Sequence, residues 1–370
     1  MYKKMKWSDI LTIISGKNQK GVASEDGEYF IYGSGGIIGR ANDYLCPANT
    51  VIVGRKGTIN HPLYVTEPFW NIDTAFGVVA GEELLPKFLY YFCLQFNFKE
   101  LDKSTGRPSV SKADLLKIEM PIPNIEEQAR IVSRIEELFS ELDKGVETLQ
   151  VIKEQLAVYR QAVLKMVFAS MNERKSIQEV SSLVTSGSRG WAKYYNEKGV
   201  RFIRITDLTR DKIKLKNNAI QRVLLPEGVE GKRSRLQGND VLISITADLG
   251  SIALVPEDVE EAYINQHIAV VRFVNCHQGE FMAWYLKSDY GQKELLCNKR
   301  GGGKLGLGLD DIRNTSVPIV SDEVADEVVS EIESRMSVCD SIEQTVNVAL
   351  SQAEAMRQSI LKKAFEGGLN

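Results

Sequence analysis

Short basic stretches in this chain of 370 residues combine cations with side chains that form paired hydrogen bonds. Lys and Arg bind phosphate, and Arg, Lys, Asn and Gln can recognise base edges in the major groove of DNA. The richest stretch is RFIRITDLTRDKIKLK at positions 201 to 216, where alternation along a strand would place several cations on one face. The candidate contacts in this half of the chain are Arg189, Lys193, Arg201, Arg204, Arg210, Lys212, Lys214, Arg300 and Lys304. The competing interpretation is a solvated strand edge that carries protective lysines.

Glycine-containing loops supply further candidates. NKRGGGKLGLG at 298 to 308 joins cations to glycines whose amides can approach phosphate, although a plain surface loop explains it equally well. In the first half of the chain, GRKGTINHP follows a predicted strand, and STGRPS contributes a further arginine. The candidate DNA contacts there are Lys17, Arg40, Arg55, Lys56, Asn60 and Arg107.

Motifs for catalysis are missing. The sequence has no NPPY-like tetrapeptide for a flipped adenine, no glycine motif for S-adenosylmethionine and no P-loop. The five cysteines are scattered, with no CxxC pair and no histidine at ligand spacing. We therefore predict no catalytic residue, no metal site and no cofactor in this chain.

Charge is unevenly distributed along the chain. The formal net charge is −3, yet residues 121–170 and 321–370 together carry −8, which leaves +5 on the remainder. Residues 187–235 hold thirteen Lys and Arg against five Asp and Glu. Positive segments are typical of nucleic-acid-binding surfaces. No apolar run reaches the length of a membrane span, so we expect a soluble, cytoplasmic protein without membrane partners.

A long internal repeat organises the sequence. QAVLKMVF at 161 to 168 returns as QSILKKAF at 358 to 365, and at this offset of 197 seventeen of the fifty pairs from Pro121/Pro318 to Ser170/Gly367 are identical. Apolar residues in both copies recur at spacings of three and four, which predicts long helices with a coiled-coil stripe. Asn124 is the predicted N-cap of the first helix, ahead of two glutamates.

The repeat predicts a domain plan. Globular blocks at 1–122 and 171–319 each precede a long helix, at 123–170 and 320–370. Both blocks are predicted to mix α and β structure. Their predicted elements include buried strands at TVIVG and VRFIRI, amphipathic helices at 86–96 and 279–288, and a turn-rich loop at FIYGSGGIIGR. Two similar units in tandem can share a pseudo-twofold axis only if their helices run in opposite directions. The predicted fold class is α+β, with two mixed α/β domains held apart by a long antiparallel two-helix coiled coil.

One pattern resembles a known family. The sequence D-L-x-x-I-x-x-P-I-P, then E-Q-x-x-I-V-x-x-I-E-x-L, stands here at Asp114 to Pro123 and Glu127 to Leu138. It resembles the specificity subunit of type I restriction-modification systems, and FIYGSGGIIGR, NIDTAFGV, NQHIAVV and VRFIRITDL are similar to pieces of that family's target-recognition domains. The second copy departs from the pattern, with Val324 and Ala325 in place of Glu127 and Gln128.

The resemblance implies a function. Each block would read one half of a bipartite site in double-stranded DNA, and the helices would set the spacer. It implies two methyltransferase (modification) subunits and motor-nuclease restriction subunits as partners, with S-adenosylmethionine, ATP and Mg²⁺ bound there. The alternative interpretation is a coiled-coil scaffold with two peptide- or protein-binding domains, which would leave the basic segment unexplained. A solitary hydrolase is disfavoured by the absent motifs.

Overall fold

The chain divides into two compact units. The computed structural model describes residues 2–217, 219–225, 234–297 and 306–368. Unit 1 comprises Met1–Gln150 with Asn347–Asn370, and unit 2 comprises Val151–Val346. Two long helices pass from one unit into the other, so each unit contains one globular domain and a segment of both helices. The predicted boundaries at residues 122, 170 and 319 stay predictions.

Unit 1 is built on a four-stranded sheet in the order β2-β8-β5-β6, with a three-stranded sheet β4-β3-β7 and a small pair β1-β9. Its strands are β1 Lys4–Lys6, β2 Leu11–Ser15, β3 Tyr29–Gly33, β4 Gly36–Ala41, β5 Thr50–Gly54, β6 Leu63–Val65, β7 Phe69–Asn71, β8 Ala75–Ala80 and β9 Glu119–Pro121. Its helices are α1 Trp7–Ile10, α2 Pro86–Gln95, α3 Lys112–Leu115 and the first part of α4, Ile125–Phe168.

Unit 2 repeats this topology with sheets β11-β18-β15-β16, β12-β14-β13-β17 and β10-β19. Its strands are β10 Arg174–Ser176, β11 Ser181–Ser186, β12 Tyr195–Asn196, β13 Val200–Ile203, β14 Gln221–Val223, β15 Val241–Ser244, β16 Ile252–Leu254, β17 Ala262–Ile264, β18 Ile268–Phe273 and β19 Ser316–Pro318. Its helices are α5 Ile177–Val180, α6 Gly279–Lys287, α7 Asp289–Leu296, α8 Leu309–Arg313 and the first part of α9, Asp322–Glu366.

Helix α4 begins where its sequence predicts. The Asn124 side chain accepts a hydrogen bond from the Glu127 amide at 2.9 Å, which satisfies an otherwise unpaired donor of the first turn. Gln128 is fully buried, and its amide donates to the carbonyls of Glu83 and Pro123 while its oxygen accepts from the Leu85 amide. Gln128 therefore joins the start of α4 to the start of α2.

The two long helices are antiparallel, as predicted. In unit 1, Arg357 of α9 forms an ion pair with Asp143 of α4, and its guanidinium lies 4.8 Å from the Phe139 ring centre. Nearer the start of α4, Ile131, Val132 and Ile135 share a core with Leu361, Ala364 and Phe365 of α9. In unit 2, the buried Arg160 pairs with Asp340 at 2.7 Å and Glu343 at 2.8 Å.

Two local predictions need correction. The FIYGSGGIIGR run, predicted as a turn-rich loop, forms the β3–β4 hairpin around Ser34 and Gly35, because aromatic and β-branched residues favour strands on both sides of the glycine-rich turn. The strand predicted at VRFIRI ends at Ile203, because Arg204 caps a 3-10 turn at Ile205–Asp207. The predicted strand TVIVG and the helices in 86–96 and 279–288 are confirmed.

Candidate nucleic-acid interface

A basic turn follows strand β5 in unit 1. We use this name for Arg55, Lys56 and Gly57 together with Arg107, which a second loop brings against them. The Gly57 amide donates to the Pro108 carbonyl at 2.8 Å, and the Val110 amide donates to the Arg55 carbonyl at 2.9 Å. Lys56 and Ser109 form a β-bridge between the two loops. The structure thus unites cations that lie about fifty residues apart in the sequence.

The backbone of the basic turn is held on its other side as well. The amides of Arg55 and Lys56 both donate to the Thr74 carbonyl, and the Lys56 carbonyl accepts from the Ser34 hydroxyl at 2.9 Å. The Arg55 guanidinium lies 5.8 Å from the Phe76 ring centre. Lys56 is exposed, and its ammonium has no ion-pair partner among the residues that the structure describes. The turn therefore offers a fixed backbone with an available cation.

Lys17 lies beside the same β7–β8 connection. Its amide donates to the Asn71 carbonyl at 2.9 Å, and its own carbonyl accepts from the Trp70 indole at 3.1 Å. Its side chain is exposed. Of the six candidates in unit 1, the structure brings four to the loops around this connection: Lys17, Arg55, Lys56 and Arg107.

The other two candidates of unit 1 have structural partners. Arg40 donates to the Gly27 carbonyl at 2.7 Å, and its guanidinium lies 4.5 Å from the Phe30 ring centre. Asn60 accepts from the Phe98 amide at 2.7 Å, which satisfies the first turn of a 3-10 helix. These contacts support the fold of unit 1, and the DNA contacts of Arg40 and Asn60 stay predictions.

Unit 2 builds the same backbone framework after strand β15 without the same side chains. The Ile245 amide donates to the His267 carbonyl, and the Leu307 amide donates to the Ile245 carbonyl. Thr246 forms the bridge to Gly306 in the place where Lys56 meets Ser109. Ala247 has φ +58° and Gly57 has φ +84°, so the turn enters the left-handed region in both units.

Polar groups replace the cations in this second turn. The Thr246 hydroxyl is hydrogen-bonded to His267 Nδ1 at 2.6 Å, and Gln266 Nε2 lies 2.7 Å from His267 Nε2. The sequence analysis did not identify these three residues as site candidates, although aligning ANTVIVGRKG with GNDVLISITA would have placed Thr246 opposite Lys56.

The candidate Arg210 has an acidic partner. Arg210 Nε donates to Asp248 Oδ1 at 2.9 Å, and this bond is the main reason why the pKa of Asp248 is lowered.

The remaining described cations of unit 2 fall into separate groups. Arg201 donates to the Asn217 side chain at 2.8 Å, and Arg204 donates to the Ala219 carbonyl at 3.2 Å, so both position the segment before β14. Lys193 Nζ lies 4.9 Å from the Tyr194 ring centre. Arg189 is exposed on the preceding loop.

Two candidates face helix α9 instead. Lys212 Nζ lies 3.0 Å from Asp340, and Lys214 lines a cavity of about 370 Å³ with Glu280 and Glu333. Burial, with a smaller contribution from the Glu333 carboxylate, raises the pKa of Glu280 to about 7. The predicted contacts Arg300 and Lys304 lie outside the described residues, although the repeat offset of 197 places Lys304 opposite Arg107 in the sequence.

Comparison with known proteins decides the family. Residues 1–154 and 174–352 match the family model described as the type I restriction modification DNA specificity domain. The chain belongs to this family. Each matched range contains one globular domain and part of the long helix after it, so the family's domain occurs twice. The family predicted from the pattern at 114 to 138 is confirmed.

Individual members resemble the chain over most of its length. It is 25% identical over 352 residues to the Type I restriction enzyme EcoBI specificity subunit of Escherichia coli, covering 86% of this chain and 73% of that one. A solved chain from a study of the type I R-M system shares 17% identity with a TM-score of 0.76, covering 100% and 98%. The HsdS subunit from Thermoanaerobacter tengcongensis shares 16% identity with a TM-score of 0.52, covering 100% and 97%. The two structural similarities show a shared fold.

The structure also bears on membrane association. Among the described residues, none of the helices combines the length and apolar character that crossing a bilayer requires.

Proposed function

We propose that this chain is the DNA-sequence recognition subunit of a type I restriction-modification complex, with one domain for each half of a bipartite site. The observation that carries the proposal is the duplicated turn. Arg55–Gly57 and Ile245–Ala247 share two backbone hydrogen bonds and a β-bridge but differ in side chains. A common framework with different side chains suits two readers that recognise different half-sequences.

The basic turn supplies the chemistry for unit 1. Exposed Lys and Arg neutralise phosphate and release counterions, which makes binding dependent on salt. Arg can also form paired hydrogen bonds to guanine in the major groove. In unit 2, Thr246, Gln266 and His267 present hydroxyl, amide and imidazole groups at the equivalent place. We therefore expect the two halves of the site to differ in both base composition and salt dependence.

The long helices are the proposed docking elements for the partner subunits. Exposed apolar side chains on α4 include Val158 at 70% and Met166 at 53%, and on α9 include Val338 at 59%. Apolar residues left exposed along a helix are typical of protein interfaces. Two methyltransferase subunits are the expected partners, with restriction subunits added for cleavage. Binding of S-adenosylmethionine, ATP and Mg²⁺ by those partner subunits stays a prediction.

The Glu127–Gln128 pair, which the second copy lacks, bears on this docking. Gln128 is buried and bonded within unit 1, and Ala325 is buried at the equivalent position of unit 2. The difference between Gln128 and Ala325 therefore lies inside each unit. The difference between Glu127 and Val324 lies at the surface, where Val324 is 41% exposed.

Mapping methylated adenines in cells that carry this chain with its partner subunits tests the proposal. Methylation should fall at one bipartite sequence. Replacing Arg55 and Lys56 by Ile and Thr, the residues of the second turn, should alter one half-sequence and leave the other unchanged. Inserting one heptad into both helices should change only the spacer. A purified assembly that does not bind duplex DNA at low salt would favour the protein-binding scaffold.

A further inference from the structure

Each unit exposes an isoleucine on a strand of its second sheet. Ile38 on β4 is 54% exposed, and its neighbour Ile37 is 55% exposed. In unit 2, Ile220 directly precedes β14 and is 45% exposed. Single exposed apolar residues are common on protein surfaces. These two isoleucines, however, occupy equivalent positions in the strand pairing of the two units.

In unit 1 the isoleucine is the extra residue of a β-bulge. Ile31 on β3 is opposite Gly39 on β4, but the next residue, Tyr32, is opposite Ile37. Ile38 is therefore left without a partner in the ladder. Bulges redirect a side chain away from the regular sheet surface and are frequent at functional sites.

In unit 2 the isoleucine lies at the corresponding place. Phe202 is opposite Gln221 on β14 and opposite Tyr263, the middle residue of β17. Ile31 of unit 1 is likewise opposite the middle residue of its parallel partner β7. Ile220, immediately before Gln221, thus corresponds to Ile38. The same apolar side chain is exposed twice at one position of the repeated fold.

Polar contacts tie both positions to segments that carry a cation. In unit 1, the hydroxyl of Ser34 at the hairpin turn donates to the carbonyl of Lys56 in the basic turn. In unit 2, the Arg204 guanidinium donates to the carbonyl of Ala219, the residue before Ile220. Each isoleucine therefore belongs to a segment that is held by, or attached to, a cationic element. A phosphate-bearing partner suits such a neighbourhood better than an apolar protein surface does.

We propose that Ile38 and Ile220 are wedges that enter the base stack of the bound duplex, one in each half of the recognised sequence. Apolar side chains of this size insert between adjacent base pairs, partly unstack them and kink the duplex. The nearby cations hold the phosphates while the wedge opens a base step. Steps that unstack easily would then be favoured at positions without hydrogen-bond contacts. This inference rests on the proposed DNA-recognition function.

The test uses the full chain with its methyltransferase subunits and a duplex that the wild-type complex selects from a random library. 2-Aminopurine placed at successive positions reports unstacking, and energy transfer between end-labelled dyes reports bending. Variants Ile38→Thr and Ile220→Thr remove the apolar tip and keep a β-branched side chain. Ile38→Val is the conservative variant, and Val274→Thr, directly after β18 and 72% exposed, is the exposed control.

The expected result is a half-specific loss. Ile38→Thr should abolish the 2-aminopurine signal in one half of the duplex, and Ile220→Thr in the other half. Each variant should weaken DNA binding by about tenfold, because the complex loses the burial of an isoleucine side chain. The slope of log K against log salt should stay unchanged, because no phosphate contact is lost. Ile38→Val and Val274→Thr should retain both signals.

Three outcomes would contradict the proposal that Ile38 and Ile220 act as wedges. One is that both threonine variants keep wild-type affinity, bending and 2-aminopurine signals. A second is that they lose the methyltransferase subunits but still bend DNA when those subunits are in excess, which would make the isoleucines protein contacts. If the wild-type complex selects no common sequence, the proposed function fails first, and the wedges fail with it.

Discussion

The Arg107 guanidinium lies over Gly57, with Nη2 only 2.8 Å from the place where a Cβ on that glycine would stand. Gly57 also has φ +84°, a conformation that L side chains rarely adopt. The contact between the two loops of the basic turn thus depends on the absence of a side chain at residue 57. It determines where Arg107 is presented.

Gly57→Ala should displace Arg107 and destabilise the turn. We expect a loss of about 1 kcal/mol in the free energy of unfolding, because alanine is strained at this φ. DNA binding in the assembled complex should weaken as Arg107 moves. Gly106→Ala is the matched control, since no heavy atom lies within 4 Å of its Cβ position. Equal affinities for the two variants would contradict the role of the Gly57–Arg107 contact.

Arg55→Ala and Lys56→Ala should each flatten the salt dependence of DNA binding. Loss of one phosphate contact reduces the slope of log K against log salt by about 1. The measurement is a salt titration of the assembled complex on its selected duplex. Lys165→Ala, an exposed cation on α4, should leave the slope unchanged. Equal slopes of log K against log salt for all variants would show that the basic turn does not contact DNA phosphates.

Lys287→Met should change the pH dependence of stability. Lys287 Nζ donates to the carbonyls of Thr209 and Ile252, and burial lowers its pKa to about 8 from an ordinary 10.5. Between these values the unfolded chain binds more protons than the folded one, so this residue makes stability rise with pH. Across that window, wild-type protein should gain about 3 kcal/mol relative to Lys287→Met.

Denaturant unfolding of both proteins at several pH values from 7 to about 10.5 measures this difference. Lys165→Met serves as the exposed control and should track the wild type. A constant difference between wild type and Lys287→Met at every pH would show that Lys287 ionises normally.

Glu280→Gln should stabilise the protein at neutral and alkaline pH. Burial, and then the Glu333 carboxylate, raises the pKa of Glu280 to about 7 from an ordinary 4.5. The folded state therefore binds more protons than the unfolded state within that window, and wild-type stability falls as pH rises through it. At pH 8 the variant should be more stable than the wild type, and at pH 4 the gain should vanish.

Glu147→Gln on α4 is the exposed control for this titration and should show no such crossover. If Glu280→Gln gave the same stability change at pH 4 and pH 8, the raised pKa of Glu280 would be wrong.

Gln128→Ala should destabilise unit 1 by about 2–4 kcal/mol, because the buried Pro123 carbonyl and two part-buried backbone groups lose their partner. Thermal unfolding measures the loss. Gln161→Ala on the same helix is the comparison, since the Gln161 oxygen is buried without a partner among the described residues. A smaller effect at Gln128 than at Gln161 would contradict the importance of these bonds.

Local sequence predicted the long helices well but the interface only in part. The cap at Asn124 and the apolar spacing of α4 are short-range signals, and both are confirmed. The partners of Arg201 and Lys212 could not be predicted from the sequence, because Asn217 and Asp340 approach them only through tertiary folding. Alternation along the sequence gives the face of a strand, but it does not reveal what covers that face.

The union of Arg55 with Arg107 illustrates the same limit. Each loop was a candidate by itself, and only the bridge between Lys56 and Ser109 shows that they form one surface. The second turn was harder to predict from the sequence, because Thr246 is uncharged and the candidates were chosen chiefly as cations. Its likeness to the first turn lies in backbone bonds and in the left-handed φ of Ala247.

The basic turn and its counterpart are anchored chiefly through main-chain atoms: the amides of Arg55 and Val110 in one unit, and those of Ile245 and Leu307 in the other. Most mutations at their tips should consequently leave folding intact while altering which bases are preferred. Such a protein can acquire new recognition sequences by drift at a handful of positions.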